Sequence, residues 1–194
     1  LFVLLHGVGG CPDNLEPLGL ALRVAFPGAV VLIPEGFEPF NGGPEGRQWF
    51  STRGVTEENR PERVAQALPA LFDYVHAAQQ RLKLRASDTA LAGFSQGAIM
   101  ALEAVQADER LAGRVLAFSG RYAQLPDAAP KYTTIHLLHG ADDTVMPVTH
   151  AQAAQNRLAA LQGDSTIDVA SRVGHQLHPA LIQRAIVRLQ TCVP

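Results

Sequence analysis

A serine held between two glycines is the residue in this sequence best placed to do chemistry. Ser95 lies in Gly93-Phe94-Ser95-Gln96-Gly97, after an apolar run and before a helical pattern that starts at Gln96. A strand that turns into a helix within two residues leaves no room for side chains on its flanks, which explains both glycines. Such a turn projects the serine hydroxyl from the sheet, with helix amides behind it. The pattern predicts a nucleophile, although glycine and serine are also common in ordinary turns.

A serine nucleophile needs a base, and the base needs an orienting acid. Asp143 and His175 each follow a predicted strand, and the chain order serine, aspartate, histidine is one of the known orders of a catalytic triad. We therefore expect Ser95 to attack, His175 to transfer protons and an aspartate to hold the imidazole. Asp142 is the alternative to Asp143, because adjacent side chains point apart and only one of the two can face the histidine.

The other candidate histidines have structural interpretations that we favour. His178 precedes Pro179 and is expected to cap the last helix, and His136 lies inside a strand and is expected in the core. His6 and His139 precede glycines at strand ends, where we expect them to fix loops through hydrogen bonds.

A glycine-rich loop, His6-Gly7-Val8-Gly9-Gly10, lets the backbone pass close to a ligand. We predict that the backbone amides of Val8 and Gln96 bind an oxyanion, where each such donor is worth about 2.7–4 kcal/mol in the transition state. These are backbone roles, so the two side chains should matter less than the local conformation. Cys11, directly after the loop, is expected to be a small buried residue rather than a reactive one, and Ser119 is expected to be structural.

Strands alternate with helices along the whole chain, which predicts an α/β fold with a mostly parallel, twisted sheet and helices on both faces. The glycine loop, Ser95, Asp143 and His175 all follow strands directly, so they should meet at the carboxyl edge of that sheet. Strands are expected at 1–5, 29–33, 90–94, 114–118, 133–139 and 165–170, and helices at 15–26, 57–82, 96–105, 148–161 and 179–189.

Residues 34–56 form a long segment, rich in glycine and proline, that carries Trp49 and Phe50. Long loops in compact domains are often functional. Two interpretations stay open: a wall that binds an acyl group, or a surface loop held on the core by its aromatic residues. The segment 121–131 is too short for a helical lid domain.

Composition limits the remaining possibilities. The chain has 194 residues, of which 47% are hydrophobic, and this suits one domain over 1–194. Its net charge is -2 and its sequence contains no basic stripe, so we expect that it does not bind nucleic acid. No apolar run reaches the roughly 20 residues of a membrane span. Cys11 and Cys192 are expected as free thiols in the cytoplasm. Neither metal-ligand spacing nor a nucleotide-binding glycine motif is visible, so we expect no metal and no cofactor. Because the chain opens inside a strand, we expect one or more strands before Leu1, and a signal peptide there is an open alternative.

Several motifs together resemble the phospholipase/carboxylesterase family, which includes the acyl-protein thioesterase-like serine esterases. They are Leu5-His6-Gly7-Val8-Gly9-Gly10, Gly93-Phe94-Ser95-Gln96-Gly97, His139-Gly140-Ala141-Asp142-Asp143-Thr144-Val145-Met146-Pro147 and Gly174-His175. In the family's acid motif the aspartate stands three residues after the glycine, which is Asp143 here. Met146 replaces the usual valine. Ser95 argues against the dienelactone hydrolases, which share the fold but use cysteine.

The resemblance implies an α/β-hydrolase fold without a lid, and hydrolysis of carboxylic esters or thioesters through an acyl-serine. It also implies a position near the acyl pocket for Trp49 and Phe50. With no room for a lid, we expect short to medium acyl chains on small-molecule substrates, and a monomer or homodimer. The alternatives are a peptidase of the same fold and a non-catalytic binding protein.

Overall fold

A parallel sheet of six strands forms the centre of the protein in the computed structural model, which describes residues 1–191. The strands in chain order are β1 (Phe2–Leu5), β2 (Val31–Leu32), β3 (Glu38–Pro39), β4 (Arg47–Gln48), β5 (Ala90–Phe94), β6 (Arg114–Phe118), β7 (Thr134–Gly140) and β8 (Ser165–Ala170). In the sheet they follow the order β2-β1-β5-β6-β7-β8, and every neighbouring pair is parallel. β3 and β4 form a separate antiparallel hairpin.

Five helices cover the two faces of this sheet: α1 (Glu16–Ala25), α2 (Arg60–Leu82), α3 (Gln96–Ala107), α4 (Thr149–Ala160) and α5 (Pro179–Thr191). Successive side chains of a strand point to opposite faces. Val3 and Leu5 therefore pack in the core under α2, α3 and α4, whereas Phe2 and Leu4 pack in the core under α1 and α5. The expected α/β architecture, parallel with helices on both faces, is confirmed.

Three local expectations differ from the structure. β2 covers only Val31–Leu32, and its side chains are half-buried rather than buried, because it pairs only with β1 in the described sheet. α2 begins at Arg60 instead of 57, because the residues before it form a turn. In that turn the Asn59 side chain accepts the Thr56 backbone amide, and the Thr56 hydroxyl accepts the Asn59 backbone amide. The β3–β4 hairpin lies in the segment where no regular structure was expected.

Of the two cysteines, only Cys11 lies within the described residues. Cys11 is free of any disulfide but only half-buried, not fully buried as expected, and Cys192 lies outside the described residues. Within residues 1–191, no helix has both the length and the apolar composition needed to cross a bilayer.

Two glycines allow β1, β5 and α3 to meet at the carboxyl edge. A Cβ on Gly97 would lie 2.0 Å from the carbonyl oxygen of Leu5, and a Cβ on Gly93 would lie 2.2 Å from the Gly97 backbone. Real Cβ atoms do not approach a backbone this closely, so the start of α3 can lie against the end of β1 only without side chains at these positions. The contact explains the glycines that flank Ser95.

We expect Gly97→Ala to lower the unfolding free energy by about 3 kcal/mol, at the upper end of what overpacking costs. Urea denaturation measures it. Gly28→Ala is the matched control, because a Cβ at Gly28 would meet nothing within 4 Å. Equal stability of the two variants would show that the contact between α3 and β1 is not tight.

Candidate active site

Ser95 occupies the sharp turn between β5 and α3. Its backbone angles, φ 54° and ψ -114°, are strained for a residue with a side chain, and strain of this kind costs about 1–3 kcal/mol. The Ser95 amide donates a 2.9 Å hydrogen bond to the carbonyl of Phe118 in the neighbouring strand, and the Ser95 carbonyl accepts from the amides of Ala98 and Ile99. The turn is thus held from the sheet side and from the helix side, with the hydroxyl at the sheet edge.

His175 links the serine to an acid. It lies in the loop between β8 and α5, and its Nε2 is 2.9 Å from the Ser95 Oγ. Its Nδ1 is 2.7 Å from the Asp143 Oδ2, and its ring lies 4.9 Å from the ring of Phe94. The fold brings together the three predicted catalytic residues in the sequence acid, imidazole, hydroxyl. A proton can pass from the hydroxyl to Nε2 while the Nδ1–H group stays hydrogen-bonded to the Asp143 carboxylate.

Asp143 is a buried carboxylate with several donors. Its Oδ1 accepts hydrogen bonds from the amides of Val145 and Met146, at 3.0 and 2.8 Å. Burial by itself would raise the pKa of Asp143, but the Met146 amide, the His175 ring and the Val145 amide outweigh burial and hold the pKa below its ordinary value. The side chain is therefore a carboxylate at neutral pH.

The neighbouring aspartate points away. Asp142 is exposed, and its amide donates to the carbonyl of Val173, just before His175. A Cβ on Gly140 would lie 2.3 Å from that same carbonyl, so the acid loop and the base loop are packed backbone to backbone. This contact sets the separation between Asp143 and His175.

The four other candidate histidines lie where their structural interpretations put them. His6 donates from Nδ1 to the Gly7 carbonyl, and His139 donates from Nε2 to the Met146 carbonyl. His136 is buried in β7, where burial and then the charges of nearby arginines lower its pKa to about 4. His178 accepts the Ala180 amide at the start of α5. None of these four contacts Ser95 in the hydrogen bonds of the described residues.

The glycine loop passes directly beside the serine. A Cβ on Gly7 would lie 3.4 Å from the Ser95 Cβ, and the loop is closed by a hydrogen bond from the Gly10 amide to the Gly7 carbonyl. Val8 lies between these glycines and is 39% exposed. The loop and the first residue of α3, Gln96, thus flank Ser95. Oxyanion binding by the Val8 and Gln96 amides stays a prediction.

The Gln96 side chain has a role that the sequence reasoning missed. It is buried, its Oε1 accepts the Trp49 amide at 2.8 Å, and its Nε2 donates to the Phe50 carbonyl at 2.7 Å. The available signal was a polar residue in the first turn of an apolar helix. No spacing rule connects it to residues 47 and 46 positions away.

Trp49 and Phe50 are both almost fully buried. The Trp49 indole is 1% exposed, donates to the His6 carbonyl at 2.7 Å and meets the Phe37 ring edge-on. Trp49 and Phe50 line a groove of about 540 Å³ between the 34–56 segment and α2. Ser95, Asp143 and His175 do not line that groove. Substrate binding by the two aromatic residues therefore stays a prediction.

Residues 1–191 contain no group of three or more histidine, cysteine, aspartate or glutamate side chains placed to hold a metal ion.

Comparison with known proteins adds a family. A family model described as Phospholipase/Carboxylesterase matches residues 1–193. The chain is 44% identical, over 194 residues, to Esterase YpfH of Escherichia coli strain K12, and the match covers 100% of this chain and 83% of that protein.

Solved structures give the same picture of the fold. Esterase PE8 has a TM-score of 0.87 at 27% identity, over 99% of this chain and 92% of its own. The Bacillus cereus carboxylesterase has a TM-score of 0.84 at 20% identity, over 100% of this chain and 88% of its own. These likenesses confirm the expected α/β-hydrolase fold.

Proposed function

The chain belongs to the phospholipase/carboxylesterase family, and from that premise we propose that it cleaves carboxylic esters or thioesters through an acyl intermediate on Ser95. The observation that carries the proposal is the unbroken hydrogen-bonded series from Asp143 Oδ2 through His175 to Ser95 Oγ. The protein is a carboxylesterase hydrolase, as the named esterase relative indicates. The covalent mechanism and the acyl preference are our proposal.

Acylation begins with His175 Nε2 taking the Ser95 proton while Oγ attacks the acyl carbonyl carbon. The carbonyl π electrons move onto oxygen, and the Val8 and Gln96 amides bind the resulting oxyanion. The tetrahedral species collapses, the bond to the leaving oxygen or sulfur breaks, and the imidazolium gives its proton to that atom. Asp143 stabilises the imidazolium throughout.

Deacylation repeats the cycle with water. His175 takes a proton from water, the hydroxide attacks the acyl-serine carbonyl, and the Ser95 Oγ leaves with the proton that His175 returns. The product acid departs, and the serine hydroxyl is restored. Each proton taken by Nε2 is returned in the same half-reaction.

We propose small-molecule substrates with short to medium acyl chains. Residues 119–133, between β6 and β7, contain no helix that could cover Ser95, and the Trp49–Phe50 groove is a candidate for the acyl portion. We also propose one domain, cytoplasmic, acting as a monomer or homodimer without nucleic acid, in keeping with the free Cys11 and the low mixed charge.

A fluorophosphonate probe tests the nucleophile. We expect the wild-type protein to be labelled covalently and Ser95→Ala to remain unlabelled, because only the activated hydroxyl attacks phosphorus. Intact mass and in-gel fluorescence report the adduct. Equal labelling of both proteins, or none of either, would contradict an acyl-serine mechanism.

Matched neighbours test the base and the acid. We expect Asp143→Asn to reduce kcat about 10⁴-fold through the wrong imidazole tautomer, and His175→Ala to lose at least as much. Asp142→Asn and His178→Ala, which lie outside the series, should stay within about twofold of wild type. Steady-state hydrolysis of p-nitrophenyl butyrate measures all four variants. A loss at Asp142 or His178 instead would reassign the partner.

An acyl profile tests the substrate class. We expect kcat/KM to be highest for p-nitrophenyl esters or matched acyl thioesters of short to medium length, and to fall for long chains, because no lid provides extra apolar surface. A peptide p-nitroanilide should be hydrolysed far more slowly. Preference for the amide would favour the peptidase alternative.

A further inference from the structure

Residues 46–50, which we call the brace, contact the two elements that flank Ser95. They belong to the long 34–56 segment, and they contact both the glycine loop and the first turn of α3. Three separate contacts attach the brace, and each involves backbone on at least one side.

The first contact joins the brace to the far end of the glycine loop. The Gly9 amide donates to the Arg47 carbonyl at 2.8 Å, and the Arg47 amide donates to the Gly10 carbonyl at 2.9 Å. Gly46 has φ 87°, and a Cβ there would lie 2.2 Å from the Gly9 carbonyl oxygen. The two backbones are therefore paired as closely as strands.

The second contact holds the near end of the same loop. The Trp49 indole donates to the His6 carbonyl at 2.7 Å, and its ring centroid lies 5.2 Å from that of His6. On its other side, the His6 Nε2 accepts the Gly36 amide at 2.9 Å. Val8 thus lies between two attachment points, at His6 and at Gly9–Gly10.

The third contact joins the brace to the turn that carries the serine. The Gln96 amide side chain accepts from the Trp49 backbone amide and donates to the Phe50 carbonyl, with all of these groups buried. Gln96 is also the residue whose own backbone amide is the second predicted oxyanion donor. One segment therefore connects the two elements that would form the oxyanion hole.

We infer that the brace sets the position of the oxyanion-binding amides, so that Trp49 and the Gln96 side chain are positioning residues for the hydrolysis; this inference rests on the proposed function of Ser95. A loop with glycines at three of five positions has many backbone conformations of similar energy. Oxyanion donors act only when they are held in place before charge develops. The brace supplies that rigidity, and in this role Trp49 acts through its hydrogen bond to the carbonyl of His6, a residue that does not line the groove proposed for the acyl portion.

Trp49→Phe removes the indole N–H and keeps an aromatic ring in place. We expect kcat to fall about 10-fold to 100-fold, the loss typical of misplaced catalytic groups. The fall should be equal for acetyl, butyryl and octanoyl esters, with KM nearly unchanged. A trifluoromethyl ketone, which forms a tetrahedral adduct on the serine, should lose affinity by the same factor as kcat/KM.

Gln96→Met and Gln96→Glu test the other attachment. Gln96→Met should reduce kcat in the same chain-length-independent way, without any change of charge. In Gln96→Glu the carboxylate cannot donate to the Phe50 carbonyl, but the protonated acid can, and burial raises the pKa of such a carboxyl. We therefore expect the ratio of its kcat to the wild-type kcat to rise as the pH falls from about 8 to about 6.

Gln79→Glu is the matched control. Gln79 is another buried glutamine, whose Nε2 donates to the Thr89 hydroxyl and the Leu111 carbonyl at the opposite edge of the sheet. The control should lose thermal stability but keep the wild-type kcat, the same inhibitor affinity and a flat ratio across pH.

Three results would overturn the inference. They are a wild-type kcat in both Trp49→Phe and Gln96→Met, a KM increase that grows with acyl length at constant kcat, and a Gln79→Glu profile like that of Gln96→Glu. Fluorophosphonate labelling of the wild-type protein separates these from a failure of the proposed function, because an unlabelled wild type would remove the acyl-serine mechanism itself.

Discussion

The contact between the start of α3 and the end of β1 is the constraint on which the site depends. With a glycine at 97, the helix backbone lies against the Leu5 carbonyl, closer than any side chain would allow. Ser95 is forced into its strained turn at that point, and the loop after β1 is forced to pass beside it. The strain, about 1–3 kcal/mol, persists because sheet and helix both hold the turn. Ser95 and the glycine loop therefore cannot move independently.

A buried charge organises the opposite side of the site. A carboxylate removed from water is costly unless donors surround it. Asp143 accepts hydrogen bonds from the amides of Val145 and Met146 and from the His175 ring, so the loop after β7 is folded around that carboxylate. The same loop packs against the one that carries His175. The acid thus fixes the orientation of the His175 ring.

The long 34–56 segment connects fold and reactivity in this structure. Trp49 and Phe50 lie in the core, with Trp49 1% exposed, so this end of the segment is packed structure. The Trp49 indole donates to the His6 carbonyl, and the Trp49 backbone amide donates to the Gln96 side chain. Each of these bonds joins one side chain to a backbone group, which fits a segment that holds the glycine loop and the first turn of α3 in place.

The sequence by itself predicted the order of the sheet strands and helices, the sheet edge and the residues Ser95 and His175, because apolar periodicity and glycine turns are local patterns. It left the acid open between Asp142 and Asp143, and only the resemblance to the family favoured Asp143. The tertiary structure decided what those patterns do not contain. In the folded protein Asp143 is buried and Asp142 is exposed, β2 is a strand of only two residues at the edge of the sheet, and the Gln96 side chain is hydrogen-bonded to Trp49. Those contacts join residues far apart in the chain, and which distant polar groups meet depends on how the helices and loops pack together, which no spacing along the sequence records.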